Sequence, residues 1–289
     1  MQYPHSHPEG EILPPPTDPT VVAESAPAEA YSPEQARRRR EYSDWDPRSA
    51  PATYLLLAVN CAVYLWMVAH GVSPKYPTES NLIHYGANQT SLVLHGQWYR
   101  LLTATFVHVG LIHLATNMWC LWNLGMLGEP LLGPFGMVAV YMLTGIAGNL
   151  LSMATNTVLA LASHDPRFLL EVGAGASGAV FGIAGILIVL LSNRRLPFPW
   201  DVLRQLRRRV VQFAAINLFI GLGTMFVNVG IRIDNMAHIG GFLSGLALGV
   251  PLVPRMTAGR ERYLDRQKIT FALACLLLAL FGYAIASFV

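Results

Sequence analysis

Residues 235–253 read NMAHIGGFLSGLALGVPLV, a run without Asp, Glu, Lys or Arg, with Gly241, Gly245 and Gly249 at every fourth position and His238 near its start. At 1.5 Å per residue such a run covers roughly the 30 Å of hydrocarbon in a bilayer. Glycines four apart share one helix face, where they let a second helix backbone come close. The stretch therefore predicts a transmembrane helix packed tightly on a neighbour, with an ionisable side chain at one end of the packed stripe.

Six further apolar runs of spanning length surround it, approximately Ala52 to Ala69, Leu111 to Leu127, Phe135 to Thr155, Gly173 to Leu191, Val210 to Val227 and Ile269 to Val289, again without Asp, Glu, Lys or Arg. The fold class that follows is all-α, a polytopic membrane helix bundle with seven spans. Composition agrees: 53% of the chain is hydrophobic and 13% charged, about half the charged share of a soluble globular domain. Both observations argue against a soluble one- or two-domain enzyme. Cys61, Cys120 and Cys275 each sit in an apolar run, so no disulfide framework or clustered zinc motif is expected, and all three read as buried small hydrophobes.

Residues 1–50 hold Pro14-Pro15-Pro16 and the Arg37 to Arg40 block with almost no apolar periodicity, and are expected to be a disordered tail. The first apolar run begins only near Ala52, so the tail does not read as a secretory signal. Basic residues set the orientation. The tail, the loop after the fourth span (Arg194, Arg195, Arg204, Arg207, Arg208, Arg209) and the loop after the sixth (Arg255, Arg260, Arg262, Arg266, Lys268) fall on one side. Only Lys75, Arg100, Arg167 and Arg232 fall on the other. Cytoplasmic loops are enriched in Lys and Arg, so the N-terminus is expected in the cytoplasm and the C-terminus outside. The long segment from about Gly71 to Gly110, with Trp98, Tyr99 and Arg100 together, reads as an interfacial loop with its rings at headgroup level.

Polar groups inside the spans are few. His113 and Asn117 lie four apart, hence on one face of the second span. Ser177 sits in Gly173-Ala174-Gly175-Ala176-Ser177-Gly178 at the start of the fourth, and His238 lies early in the sixth. Each has a bland alternative: a hydroxyl among small residues is often interhelical glue, an Asn often a helix contact, and an intramembrane His often a satisfied packing residue. His108 reads as a residue at the mouth of the bundle, and His70, His84, His95 and His164 as solvated. Glycine stripes on the fourth span (Gly178, Gly182, Gly185) and the sixth would bring Ser177 within reach of His238. Plain packing explains the stripes equally well, but not the Ser and His at their ends.

On these residues the sequence resembles the rhomboid family of intramembrane serine proteases. Gly175-Ala176-Ser177-Gly178 matches the family's GxSG motif, Ala237-His238 with Gly241 and Gly245 its AHxxGxxxG helix, and His113 with Asn117 its HxxxN helix. The resemblance implies a six-span catalytic core over residues 51–254, a basic linker and seventh span over 255–289, and an active site open to the external side and sunk below the membrane surface. It also implies Ser177 as nucleophile, His238 as general base and His113 with Asn117 as oxyanion stabilisers. The implied partners are the lipid bilayer and single-span membrane protein substrates, with no cofactor, metal or nucleic acid; the basic side of the chain, with no targeting presequence read in it, suits a cell membrane. Two departures stand out. Tyr99 occupies the Trp position of the family's Trp-Arg pair, with Trp98 just before it. Phe181 replaces the Tyr that some members place beside the catalytic histidine.

A serine hydroxyl needs an adjacent base, and no span contains a carboxylate to orient His238, so a Ser-His dyad is expected. Asp234, four before His238, reads as anchoring the external end of its span in water. Rival chemistries fare worse. An intramembrane aspartyl protease needs two carboxylates at depth, a zinc protease a HExxH helix, and a proton-coupled transporter buried ionisable relays. A catalytically silent rhomboid-like client binder would be expected to lack Ser177 or His238.

Overall fold

A computed structural model describes residues 49–194, 196, 198–223, 234–253 and 260–288. The expected disordered tail therefore lies, save for Ser49 and Ala50, outside the described residues, as does the boundary at 254/255. Helix α1 (Pro51–Ala69) starts on Pro51, whose missing N–H suits a first turn, but its N-cap Ala50 has no side-chain acceptor. The acceptor comes from another part of the chain. The Glu129 carboxylate, 2% exposed, takes the N–H groups of Ala52 (2.8 Å) and Thr53 (2.7 Å) and the Thr53 hydroxyl (2.7 Å). A carboxylate at a helix N-terminus is favoured by the exposed N–H groups and the helix dipole, so it is tolerated in an apolar bundle.

Three short helices follow, α2 (Glu79–His84), α3 (Thr90–Leu94) and α4 (Arg100–Thr103), with the two-residue strand β1 (Asn88–Gln89) before α3. The expected interfacial loop is thus ordered, and Arg100 is its pin. At 6% exposure, its guanidinium donates to the carbonyls of Ile83 (2.6 Å) and Ala87 (3.0 Å) and to Gln97 Oε1 (2.7 Å), while Trp98 and Tyr99 stay exposed.

The second and third spans form one long element, α5 (Leu111–Ser163), broken only at Gly133, whose φ of 74° and ψ of 165° reverse the chain. A loop from Leu127 to Phe135 was expected. The helix instead runs to Gly133 on one side and restarts at Pro134 on the other, because a glycine followed by a first-turn proline makes the turn in a single residue. Contacts fix the directions of the two limbs relative to α6 (Ser177–Leu190). The limb before Gly133 meets the approach to α6 at Gly175 with His113, and α6 itself at Ile183 and Leu187 with Gly128, so it runs parallel. The limb after it pairs Thr144 with Gly182 and Gly148 with Gly178, so it runs antiparallel.

Helix α8 (Asn235–Leu252) runs parallel to α6 in very close contact, with Gly241 on Gly178, Gly245 on Gly182 and Gly249 on Val189. Helix α7 (Trp200–Gly223) packs antiparallel to α6 through Leu203, Val210 and Phe213, and begins ten residues before the expected Val210 because the basic segment is itself amphipathic. Residues 224–233, including the expected end of that span at Val227, lie outside the described residues. Helix α9 (Arg260–Ala286) likewise starts ahead of the expected Ile269. Tyr263 donates to the carbonyls of Leu131 and Leu252, Arg266 to that of Val253, and Gln267 to that of Leu132, so polar residues that would be costly in lipid serve the carbonyl ends of two neighbouring helices. By length and composition α1, α5 and α9 can cross a membrane. Of the cysteines, Cys120 is buried as expected, but Cys61 is half-buried and Cys275 exposed, because the apolar faces that carry them are turned away from the core.

Candidate active site

The fourth span was expected to begin at Gly173. Instead Val172 and Gly173 form strand β2, antiparallel to β1 with Asn88 opposite Gly173, and the helix starts at Ser177. The cause lies at Gly175. Its φ of +136° suits glycine alone, and its N–H donates to Ala104 O at 2.9 Å, turning the chain into the helix. α6 therefore has 14 residues, about 21 Å, less than a hydrocarbon thickness. The second limb of α5, level with Gly178 at Gly148, continues to Ser163, about 22 Å further. Ser177 is thus recessed well below the end of its neighbour.

The glycine contacts bring α8 alongside. A Cβ on Gly178 would lie 3.3 Å from Ala237 O, so Ser177-Gly178 and Ala237-His238 are adjacent. Phe181, one turn after Ser177, stacks on the His238 imidazole with centroids 4.4 Å apart and planes 13° from parallel, so the ring that stands in place of the family's Tyr packs on the histidine. Phe213 of α7 rests against Phe181 in turn, at 6.4 Å. His238 is 6% exposed and its Nδ1 has no hydrogen-bond partner among the described residues. The Ser177 hydroxyl, half-buried, makes none either.

His113 and Asn117 come to the same place. A Cβ on Gly175 would lie 2.6 Å from His113 Cε1, 3.0 Å from its Nε2 and 3.8 Å from Asn117 Nδ2. His113 Nδ1 accepts the Val109 N–H at 3.2 Å, which places the ring proton on Nε2, the nitrogen facing Gly175. One Asn117 amide hydrogen is used on His113 O at 3.0 Å, leaving the other free.

His108 was read from the sequence as a residue at the mouth of the bundle. It is 0% exposed: Nδ1 lies 3.2 Å from Phe106 O, Nε2 accepts the Ala176 N–H at 3.4 Å, and its ring is 5.4 Å from that of His113. It belongs to no helix, so helical periodicity had no purchase on it. His70, His84, His95 and His164 are exposed, as expected. Asp234 does not anchor in water. It is half-buried, caps α8 by accepting the Ala237 N–H at 2.9 Å through Oδ1, and takes the Ser152 hydroxyl at 2.5 Å through Oδ2.

A family model described as the Rhomboid domain matches residues 95–255, more than half of the chain. The chain belongs to the rhomboid family. Among this rhomboid's relatives, rhomboid protease AarA of Providencia stuartii is 32% identical over 206 residues, covering 70% of this chain and 72% of its own length. Rhomboid protease GluP of Bacillus subtilis (strain 168) is 31% identical over 223 residues, covering 75% of this chain but only 39% of its own length. Rhomboid-like protease 2 of Toxoplasma gondii is 27% identical over 219 residues, covering 75% of this chain and 70% of its own length. At the level of the family this rhomboid is a multi-pass membrane protein of an intramembrane protease group.

Proposed function

We propose that this rhomboid is an active intramembrane serine protease that cuts single-span membrane protein substrates with a Ser177–His238 dyad. The observation that carries the reading is the meeting at one recessed point of the head of α6, the His238 ring held by Phe181, and the His113 and Asn117 donors against Gly175.

In the reaction, His238 Nε2 takes the Ser177 hydroxyl proton as Oγ attacks the scissile carbonyl carbon. Charge then develops on the carbonyl oxygen. The donors for it are His113 Nε2–H, the free Asn117 amide hydrogen and the first N–H groups of α6, which have no intrahelical acceptor. Collapse expels the amine, which leaves with the proton from His238, and a serine ester remains. Water, deprotonated by the same imidazole, attacks that ester and releases the carboxyl product and free Ser177. Catalytic hydrogen bonds commonly tighten only in the substrate complex, which accommodates the unpaired Ser177 hydroxyl.

The dyad, rather than a triad, is supported by the carboxylate nearest in sequence: both Asp234 oxygens are engaged elsewhere, and His238 Nδ1 has no partner. α1 meets the first limb of α5 at Thr53 against Gly125 and the second at Asn60 against Tyr141, and α9 follows the second limb from Gln267 on Leu132 to Gly282 against Leu150; with the directions of α6, α7 and α8 this alternation supports seven spans, arranged as six plus one. With the basic split, it supports a cell-membrane protein with a cytoplasmic N-terminus and an external C-terminus. The test is a fluorophosphonate probe together with a labelled single-span substrate in detergent. Ser177→Ala should abolish both labelling and cleavage at unchanged thermal stability; labelling that persists would remove Ser177 from the role of nucleophile.

A further inference from the structure

The end of α6 opposite Ser177, about 20 Å away along the helix axis, meets the start of α7 in a corner built around Trp200. The guanidinium of Arg194 lies 4.7 Å from the Trp200 ring centroid and that of Arg207 5.8 Å. Arg207 also donates to the Ser192 hydroxyl at 3.1 Å. Trp200, Arg204, Arg207 and Arg208 fall at i, i+4, i+7 and i+8, one face of α7, and this face lies beside the one that buries Leu203 and Val210. Arg194, Arg204 and Arg208 are exposed. α7 carries one carboxylate, Asp201, and among the described residues none of these arginines forms an ion pair.

We propose that this corner binds the phosphate headgroup of an anionic phospholipid. Guanidinium groups match phosphate oxygens in pairs. Two of them are here already oriented by an aromatic ring and a hydroxyl, so less side-chain freedom is lost when an anion arrives. The flanking surface selects a lipid over a free anion. Phe198 and Val202 are exposed beside the arginines, apolar groups that would meet acyl chain while the charges meet the headgroup. The ring of Trp200 is the kind of side chain that settles at the membrane interface. The same helix carries Phe213 against Phe181, so the lipid would sit at the foot of an element that touches the candidate active site.

The experiment is native mass spectrometry of the purified full chain with phosphatidylglycerol or phosphatidylcholine, which reads binding without any substrate and so is independent of the protease reading. Phosphatidylglycerol should bind in preference. Arg194→Gln/Arg207→Gln should weaken it about 25-fold, from roughly fivefold per guanidinium near a lipid surface. Arg262→Gln/Lys268→Gln removes the same charge from α9 and should leave binding within about twofold, because these exposed groups stand on a helix that serves the ends of α5 and α8, and exposed charges outside the site are screened by salt. Trp200→Leu keeps every charge and should also weaken binding, whereas bulk attraction predicts no change. Equal binding of the two lipids, equal losses in the two charge pairs, or glycerol phosphate binding with the same arginine dependence in place of the lipid would overturn the proposal.

Discussion

Gly241→Ala is the sharpest perturbation of this bundle, because it adds one methyl group where two backbones touch. A Cβ at Gly241 points at the carbonyl oxygen of Gly178, with that residue's carbonyl carbon 2.7 Å and its Cα 3.1 Å away. Both partners are helix backbone and cannot rotate out of the way. Carbon atoms rest at about 3.5 to 4.0 Å, so α8 must retreat from α6 by about 1 Å. Gly241 is one turn after His238 and Gly178 follows Ser177, so the displacement falls between the two proposed catalytic groups. A misplacement of that size costs on the order of 10²-fold in rate, and overpacking costs about 1 to 3 kcal/mol in stability.

The matched control is Gly128→Ala. Its added Cβ would meet Ile183 Cγ2 and Leu187 Cδ2 at 3.7 Å, ordinary contact in the same bundle, and alanine favours the helix by up to about 1 kcal/mol. Both variants go through cleavage of a labelled single-span substrate and thermal unfolding by intrinsic fluorescence, with probe labelling to count folded sites. Gly241→Ala should lose turnover well beyond its unfolded fraction, while Gly128→Ala keeps it. Turnover in Gly241→Ala within a few-fold of the parent would refute the view that the glycine stripe sets the Ser177–His238 spacing.

Three other perturbations divide catalysis from architecture. Asn117→Ala should lower turnover by roughly 10² to 10³ with little change in KM if its amide meets the oxyanion; near-normal turnover with a stability loss of roughly 0.6 to 2 kcal/mol would make it a packing contact instead. Asp234→Asn keeps an oxygen for the Ala237 N–H and should change turnover by less than tenfold, whereas His238→Ala should remove it; comparable losses would point to a triad. Glu129→Ala strips the acceptor from two N–H groups and a hydroxyl at the start of α1, and should cost about 3 to 5 kcal/mol in thermal unfolding while leaving kcat of the folded fraction intact; an unchanged melting temperature would show that water replaces the carboxylate there.

Among the described residues every apolar run carries a helix, because the cost of unsatisfied backbone in lipid leaves few alternatives to a helix over such runs. Run length misplaced the helix ends. α7 and α9 extend into segments whose charges placed them outside the apolar runs, since an amphipathic turn can present Arg to one side and Leu203 or Gln267 to the interior. At Gly133 a single residue reverses the chain where a loop was expected. Within the candidate site, the residues on helices could be singled out in the sequence: Ser177, His238, His113 and Asn117 as polar groups in apolar runs, by their spacing and the small-residue stripes beside them, and Phe181 through the family resemblance. Groups whose partners are remote in sequence, or that act through irregular backbone, were not. Glu129 was passed over because it falls between two apolar runs, and nothing in its neighbourhood in sequence points to Ala52 and Thr53.

The segment from Ala104 to Gly110 shows why that gap matters for chemistry. Ala104 O receives the Gly175 N–H, His108 Nε2 receives the Ala176 N–H, and the Val109 N–H is received by His113 Nδ1. These bonds give the two histidines opposite tautomers. His108 keeps its proton on Nδ1, toward Phe106 O, and His113 on Nε2, toward Gly175. The direction in which His113 can donate is therefore set by one backbone N–H in a loop, not by its own helix. That loop is held by Gly110 at a φ of +93°, where a Cβ would lie 2.7 Å from Lys75 O. In the proposed role of oxyanion donor, a His113 placed in this way needs no charged neighbour, which would suit a site below the surface of a bilayer, where an uncompensated charge is the costliest group to keep.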